Sequence, residues 1–434
     1  MTSEQVAALG PAFAAYLRDF EDCFVDNRSR DHLHTYCRGL LSNLPRKSVE
    51  PIALAAGTAV RTLQEFLRDH VWDQQRMRDQ LQQRHARRPA PTTADDLGCV
   101  GLIDETSQAK KGTKTPGVQR QWCGSLGKKD NCIVTVHLGI VWGRLKTLLD
   151  ADLFLPQSWS QDRERCRAAG IPDDVVYRPK WRIALEQLDR ALANGLQLNW
   201  LTFDEHYGSK PGFLADLDGR PGLSYVGEVP RNFRCLTQRP KGRRPKGGWK
   251  GKRVDNLARF SSALNCQPWQ GVTLARLTLA DQEWEVRARQ VYLLRDGQVS
   301  ERTYWLIVAR NVATGEVKYF VSNAPAETPL EKLLRVAFRR WNVEHGFRVG
   351  KSEIGFGHFE GRNYVALLRH LILCLLVMGF VTEQTDRLRG EKSGDHPGAS
   401  EPGVEPALRG VAGEPPGDIG LGAYQRSHCL SPAA

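Results

Sequence analysis

Gly98–Glu105 reads GCVGLIDE: a short apolar run that stops on two acids. Such a run is expected to be a buried strand with Asp104 and Glu105 at its C-terminal end. The pattern returns at Leu198–Glu205, LNWLTFDE, a second short strand ending on Asp204 and Glu205. Between the two, Arg120–Leu126 and Cys132–Trp142 read as strands of a meander joined by a turn at Gly127–Asn131. Residues 146–195 read as a peripheral loop followed by a helix. Lys180–Ala193 carries Trp181, Leu185, Leu188 and Leu192 on one face, and Gly195 stops it. Strand, meander, helix, strand is the order of a mixed α/β sheet with acids clustered at adjacent strand ends. Taken singly, each Asp has the plainer reading of a strand-end turn residue.

A third acid lies in Arg335–Lys351, RVAFRRWNVEHGFRVGK. Arg340, Glu344, Arg348 and Lys351 recur at four, four and three residues and so share one helical face. Val336, Phe338, Val343 and Phe347 can turn toward a core. By itself this is also the pattern of a solvated helix laced with ion pairs. With Asp104 and Asp204 it becomes one of three carboxylates on separate elements, the requirement of a magnesium-dependent phosphoryl-transfer site.

The charge balance points the same way. The chain of 434 residues carries 61 Lys and Arg against 49 Asp and Glu, a formal net of +12, which favours a polyanionic partner such as nucleic acid. The ten cysteines form no CxxC pair and read as reduced thiols in a cytosolic protein, which speaks against zinc. No secretory signal opens the chain. The most apolar run, Leu367–Val381, is interrupted by Arg369 and His370; its clean part is too short for a bilayer, so a buried helix over Asn363–Val381 is expected.

Residues 1–92 read as a small helical domain, with Ser48 as a helix cap and a polar, basic linker over Gln74–Arg88. Residues 93–208 hold the first part of the core. Residues 209–326 form a long, strand-rich insertion with runs at Leu223–Val229, Trp284–Leu294 and Thr303–Val312. Inside it, Arg239–Arg253, RPKGRRPKGGWKGKR, reads as a flexible loop that cannot pack. Its Arg243, Arg244, Lys246, Lys250, Lys252 and Arg253 are candidate phosphate contacts. Residues 327–383 return to the core as helices, and 384–434 read as a disordered tail.

These residues resemble the DDE transposases of bacterial insertion sequences, which have an RNase H-like catalytic core. The matching motifs are IDET at Ile103–Thr106 with KKG at Lys110–Gly112, TFDEHYG at Thr202–Gly208, and GHFEGR at Gly357–Arg362. Arg340, Glu344 and Lys351 match the last three positions of a spaced Tyr–Arg–Glu–Lys signature. Ala337 stands at the tyrosine position, a departure. The resemblance implies an RNase H-like mixed sheet with a β-rich insertion between the second and third acids. It implies N-terminal helices that bind terminal inverted repeats, and a dimer that pairs two element ends. It also implies that Asp104, Asp204 and Glu344 hold two Mg²⁺ ions, with Mn²⁺ able to substitute and Asp104 as bridging ligand, for cleavage and strand transfer of double-stranded DNA. Arg340 and Lys351 would hold phosphates, with Arg348, Lys110 and Lys111 nearby. The expected location is the bacterial cytoplasm, on the nucleoid, with no membrane partner. Two other readings stay open: a transposase-derived protein that binds DNA without cutting it, and an RNase H-like nuclease that cuts without joining.

Overall fold

The structure, a computed structural model, describes residues 3–91, 94–274 and 282–392. Its centre is a mixed sheet. Strand β1 (Cys99–Ala109) pairs antiparallel with β3 (Lys128–Trp142), which also takes β2 (Gln119–Cys123) and β4 (Leu145–Leu153). On its other side β1 pairs parallel with β5 (Trp200–Phe203), and β5 with β6 (Ser224–Glu228). The order β4-β3-β1-β5-β6, three antiparallel strands followed by two parallel to the first, is an RNase H-like sheet. The meander was legible in the sequence. Strand β4 was not: the expected loop at 146 onward is a strand paired with β3, and its two acids are neutralised inside the fold.

β6 belongs to this core, although its residues lie inside the stretch expected to be insertion. A parallel neighbour for β5 needs a crossover, and the helix Pro211–Asp218 supplies it. The strands that follow are β7 (Arg234–Leu236), β8 (Lys252–Arg253), β9 (Gln270–Leu274), β10 (Gln282–Arg295), β11 (Gln298–Val299), β12 (Tyr304–Asn311) and β13 (Val317–Ser322). They extend the same sheet rather than forming a separate one, because β13 pairs antiparallel with β6. The basic loop packs more than expected. Gly247 and Gly248 take positive φ, and the Trp249 amide donates to the Gly297 carbonyl at 2.9 Å, seating the loop on the turn after β10.

Alternation along β1 divides the interior. Val100 and Leu102 face one core; Cys99 and Ile103 face the other, beneath helix Lys180–Ala193. The first core is shared by the sheet, the N-terminal helices and the C-terminal helices. We label these helices α1 (Ser3–Arg18), α2 (Asn27–Leu41), α3 (Val49–Ala55), α4 (Val60–Arg68), α5 (Gln74–Ala86), α6 (Lys180–Ala193), α7 (Leu330–Arg339), α8 (Trp341–Val349) and α9 (Tyr364–Lys392). Ser48 does sit at the cap position of α3, but its side chain makes no capping bond. The expected linker over Gln74–Arg88 is helix α5, capped by Asp73 and burying Met77, Arg78, Leu81, Gln82 and His85. Its polar side chains are buried because β4 answers them. Asp150, fully buried, faces Arg78 at 3.4 Å, Gln82 at 3.0 Å, and Arg190 of α6.

α9 runs past residue 383, where a tail was expected, to Lys392; the rest of that stretch, 393–434, lies outside the described residues. Its span Tyr364–Leu388 is long and apolar enough to cross a membrane, yet 83% of its most apolar window is buried in this fold. α2, α4, α5 and β4 enclose it. Arg369, the charge that interrupts the run, donates to the carbonyls of Leu67, His70 and Trp72.

Two buried histidines make this helical core acid-sensitive. His370 of α9 bonds the Tyr36 hydroxyl at 2.9 Å and the Gly355 carbonyl at 3.0 Å. His85 of α5 is buried without a hydrogen-bond partner among the described residues. Burial pushes each down to about 4. Because the folded state holds fewer protons than the unfolded chain between pH 6.5 and 4, stability is fully present above about 6.5 and falls with pH across that window. Each histidine corresponds to a loss of ~3 kcal/mol by pH 4. Denaturant unfolding at pH 7.0, 5.5 and 4.5 checks this; a His370→Gln variant should show a shallower acid decline than wild type.

Candidate active site

The parallel register of β1 and β5 runs from Val100↔Trp200 to Ile103↔Phe203. Asp104 and Asp204 are the next residue on each strand, so they stand side by side where the pairing ends, with strands ~4.8 Å apart. The two continuations differ. β1 keeps going to Ala109 along β3, so Asp104 is mid-strand and not at a strand end as expected. β5 stops, and Asp204 caps a one-turn helix, accepting from the amides of His206 at 3.0 Å and Tyr207 at 3.3 Å.

Alternation turns both aspartates toward the face that carries α7 and α8. There Arg340, at the junction of these helices, donates to Asp104 Oδ2 at 2.9 Å and approaches Glu344 at 3.5 Å. The expected single helix over 335–351 is therefore two helices and a terminal π turn at Gly350–Ile354, which carries Lys351. The π turn ends at Gly355, φ 89°, where an added Cβ would meet the Lys47 side chain at 2.7 Å. The Lys47 ammonium in turn donates to the Leu40 carbonyl and to that of Glu353 in the π turn, tying α2 to the backbone that places Lys351.

A cleft of about 560 Å³ opens here, lined among others by Asp104, Asp204, Glu105, His206, Trp122 and Lys351. Asp104 is only 8% exposed. Burial raises its carboxyl to about 7, against the pull of Arg340 and with a further push from Asp204. Asp204 is raised by burial too, and Arg340 again opposes the rise. Lys351 is lowered by burial. Two desolvated carboxylates with one arginine between them form a site short of positive charge, which is the donor chemistry that suits a hard divalent cation. Glu344 is less engaged. Its side chain is 62% exposed and does not line the cleft, and among the described residues no three His, Cys, Asp or Glu groups converge on one metal position.

The remaining candidates are dispersed. Lys110 is half-buried, donating to the Phe359 carbonyl at 2.5 Å; burial lowers it to about 8. It holds the GHFEGR loop beside β1. Lys111 and Arg348 are exposed. In the basic loop Arg243, Lys246, Lys250 and Lys252 are exposed; Arg244 donates to the Asp296 carbonyl and Arg253 pairs with Asp255. Glu105 turns from Asp104 toward α6, where Lys180 meets it at 2.6 Å, as strand alternation implied. Ala337, at the signature's tyrosine position, is buried and its carbonyl faces the Thr202 hydroxyl. Trp122, on β2, lines the cleft without having been anticipated, because its exposure shows only in the fold.

A family model described as DDE superfamily endonuclease matches residues 19–292, which include Asp104 and Asp204 and end before Glu344. A relative from Microchaete diplosiphon, described as a probable transposase for insertion sequence element IS701, is 27% identical over 372 residues, covering 83% of this chain and 85% of the relative. Among solved structures, a piggyBac transposase synaptic complex with hairpin DNA aligns at a TM-score of 0.45 with 11% identity, over 89% of this chain and 70% of that one.

Proposed function

The chain belongs to the DDE superfamily of endonucleases, and from that membership we propose that it is the transposase of a bacterial insertion sequence, cutting the element's ends and joining them to target DNA. The observation that carries the reading is the β1–β5 register, which leaves Asp104, buried, and Asp204, half-buried, adjacent and short of positive charge at an open cleft. Superfamily members use divalent metals. Here Asp104, Asp204 and Glu344 would hold two Mg²⁺ ions, with Mn²⁺ as substitute, supplying the Lewis acid that activates the attacking oxygen and stabilises the leaving one. Arg340 pairs with both Asp104 and Glu344 and so links the third acid to the first.

The chain's own residues position the DNA. Lys351 on the cleft wall and Arg340 beneath it meet the phosphates flanking the scissile bond. Attack by water breaks one P–O bond and leaves a 3′-hydroxyl on the element; that hydroxyl then attacks a target phosphodiester, exchanging one ester for another. The basic loop reaches the same duplex further out. β10, on whose turn it sits, lies five strand positions from β1, on the order of 25 Å or seven base pairs away. Two ends must be paired, so a dimer acting on double-stranded DNA on the nucleoid is the working form we propose.

Duplexes carrying the inverted repeats that flank the gene, incubated with the protein and Mg²⁺, test the reading. Cutting and joining together support it. Cutting without joining assigns a nuclease, and binding without cutting a DNA-binding protein. A second measurement addresses the loop. Neutralising Arg243, Lys246 and Lys250 together to Gln should reduce the slope of log affinity against log salt by roughly 2–3, at ~0.9 per phosphate lost. An unchanged slope in a fluorescence-anisotropy titration would place the loop off the DNA.

A further inference from the structure

Trp122 has no structural reason to be where it is. It lies on β2 at the edge of the sheet, directly opposite Lys129 of β3, and is 58% exposed. Among the described residues its indole makes no ring, cation–π or hydrogen-bond contact. A large aromatic left open to water forgoes a substantial burial free energy. Yet it is held firmly. Its backbone is paired in the β2–β3 ladder, and its carbonyl accepts from the Cys132 thiol. It also lines the same cleft as Asp104, Asp204 and Lys351, with Gly124 and Ser125 between. Arg120, exposed two residues earlier on the same strand face, and Lys129 across the ladder give the ring a cationic border.

We propose that Trp122 is a stacking platform for an unpaired DNA base next to the scissile phosphate, with Lys129 and Arg120 meeting the backbone on either side of that base. This rests on the reading of the cleft as a DNA-cleaving site. The choice of an unpaired base follows from geometry and chemistry. Inside a duplex both faces of a base are already covered by its neighbours, so a protein ring gains a face only when the base leaves the stack. A rigid aromatic flanked by cations is the arrangement that binds single-stranded nucleic acid without regard to sequence. The consequence is a preference for element ends whose terminal pairs are frayed. Trp122 acts as a positioning residue: it holds the strand so that the phosphate, not the base, faces the aspartates.

The test uses the full chain in Ca²⁺ and two 30-base-pair probes of the same flanking repeat. One is blunt. The other is forked by five unpaired bases at the cut end, with 2-aminopurine as the first of them. Wild type should bind the fork ~10-fold tighter than the blunt duplex, about 1.4 kcal/mol, and change the 2-aminopurine emission. Trp122→Ala should lose the preference and the emission change while blunt-duplex affinity moves less than twofold; Trp122→Phe should restore most of both. A wild-type protein that binds both probes equally overturns the proposal, as does a Trp122→Ala variant that keeps the fork preference or one whose only change is in oligomeric state. Absence of binding to either probe overturns the functional reading itself.

Discussion

Asp104→Asn and Asp204→Asn are each expected to lose DNA cleavage by ~10³-fold or more, while the folded protein keeps its affinity for DNA. That loss follows from the proposed role: removing one charged ligand from a metal site whose charge stabilisation is worth several kcal/mol, at about 1.36 kcal/mol per tenfold in rate. What makes the prediction specific is the direction of the accompanying stability change. Both carboxylates are raised by burial, so without metal they cost stability when ionised. Neutral Asn removes that cost, and Arg340 keeps Glu344 and the remaining aspartate near it. Metal-free variants should therefore melt at or above the wild-type temperature, and Mg²⁺ should raise the melting temperature of wild type more than of either variant. Gel cleavage assays and thermal melts with and without Mg²⁺ read both quantities. A variant that cuts normally would remove that residue from the site, and one that melts well below wild type would give it a structural role instead.

Asp150→Ala has the largest expected effect on stability, a loss of about 3–5 kcal/mol. Asp150 is fully buried and faces cations from two helices, Arg78 of α5 and Arg190 of α6. Deleting its carboxylate leaves these two guanidiniums to Asp152, at 3.5 Å from each. Burial of the acid is tolerable only because both arginines and Gln82 surround it. Urea unfolding of wild type and variant measures the difference. A loss below about 1 kcal/mol, the range of a surface pair, would mean that water reaches the cluster and that α5 is not fixed to the sheet.

The same cluster explains where reading the sequence stopped. The two acid-ended strands were legible because an apolar run terminating on a carboxylate is a local pattern, and the side-by-side placement of Asp104 and Asp204 needed only strand order. β4 and α5 were not legible. α5 looks polar alone and β4 reads as an apolar run broken by two acids, and their opposite charges meet across about 70 residues. Periodicity arguments see the polarity and not the partner. The helix bearing Glu344 was found, but its division at Arg340 was not, since Arg340 itself keeps helical dihedrals and no glycine or proline marks the break. The boundary at residue 209 missed because β6 is recognisable as core only through its parallel partner β5. Trp122 escaped because nothing local distinguishes a strand tryptophan facing water from one facing a core.

The Tyr36–His370 contact joins residues 334 positions apart, which has a consequence in time. α1 to α5 leave the ribosome first, with apolar faces shaped for a helix not yet made. At ~5–20 residues per second, α9 follows on the order of tens of seconds later. Until it arrives, the core beneath the aspartates is open, and the π turn bearing Lys351 lacks the helix it packs against. A chain interrupted between β10 and α9 thus carries both aspartates and the loop's positive charge but lacks the packing that α9 supplies. The two aspartates therefore come into alignment late, when α9 packs between α2, α4 and α5 and closes the core under them.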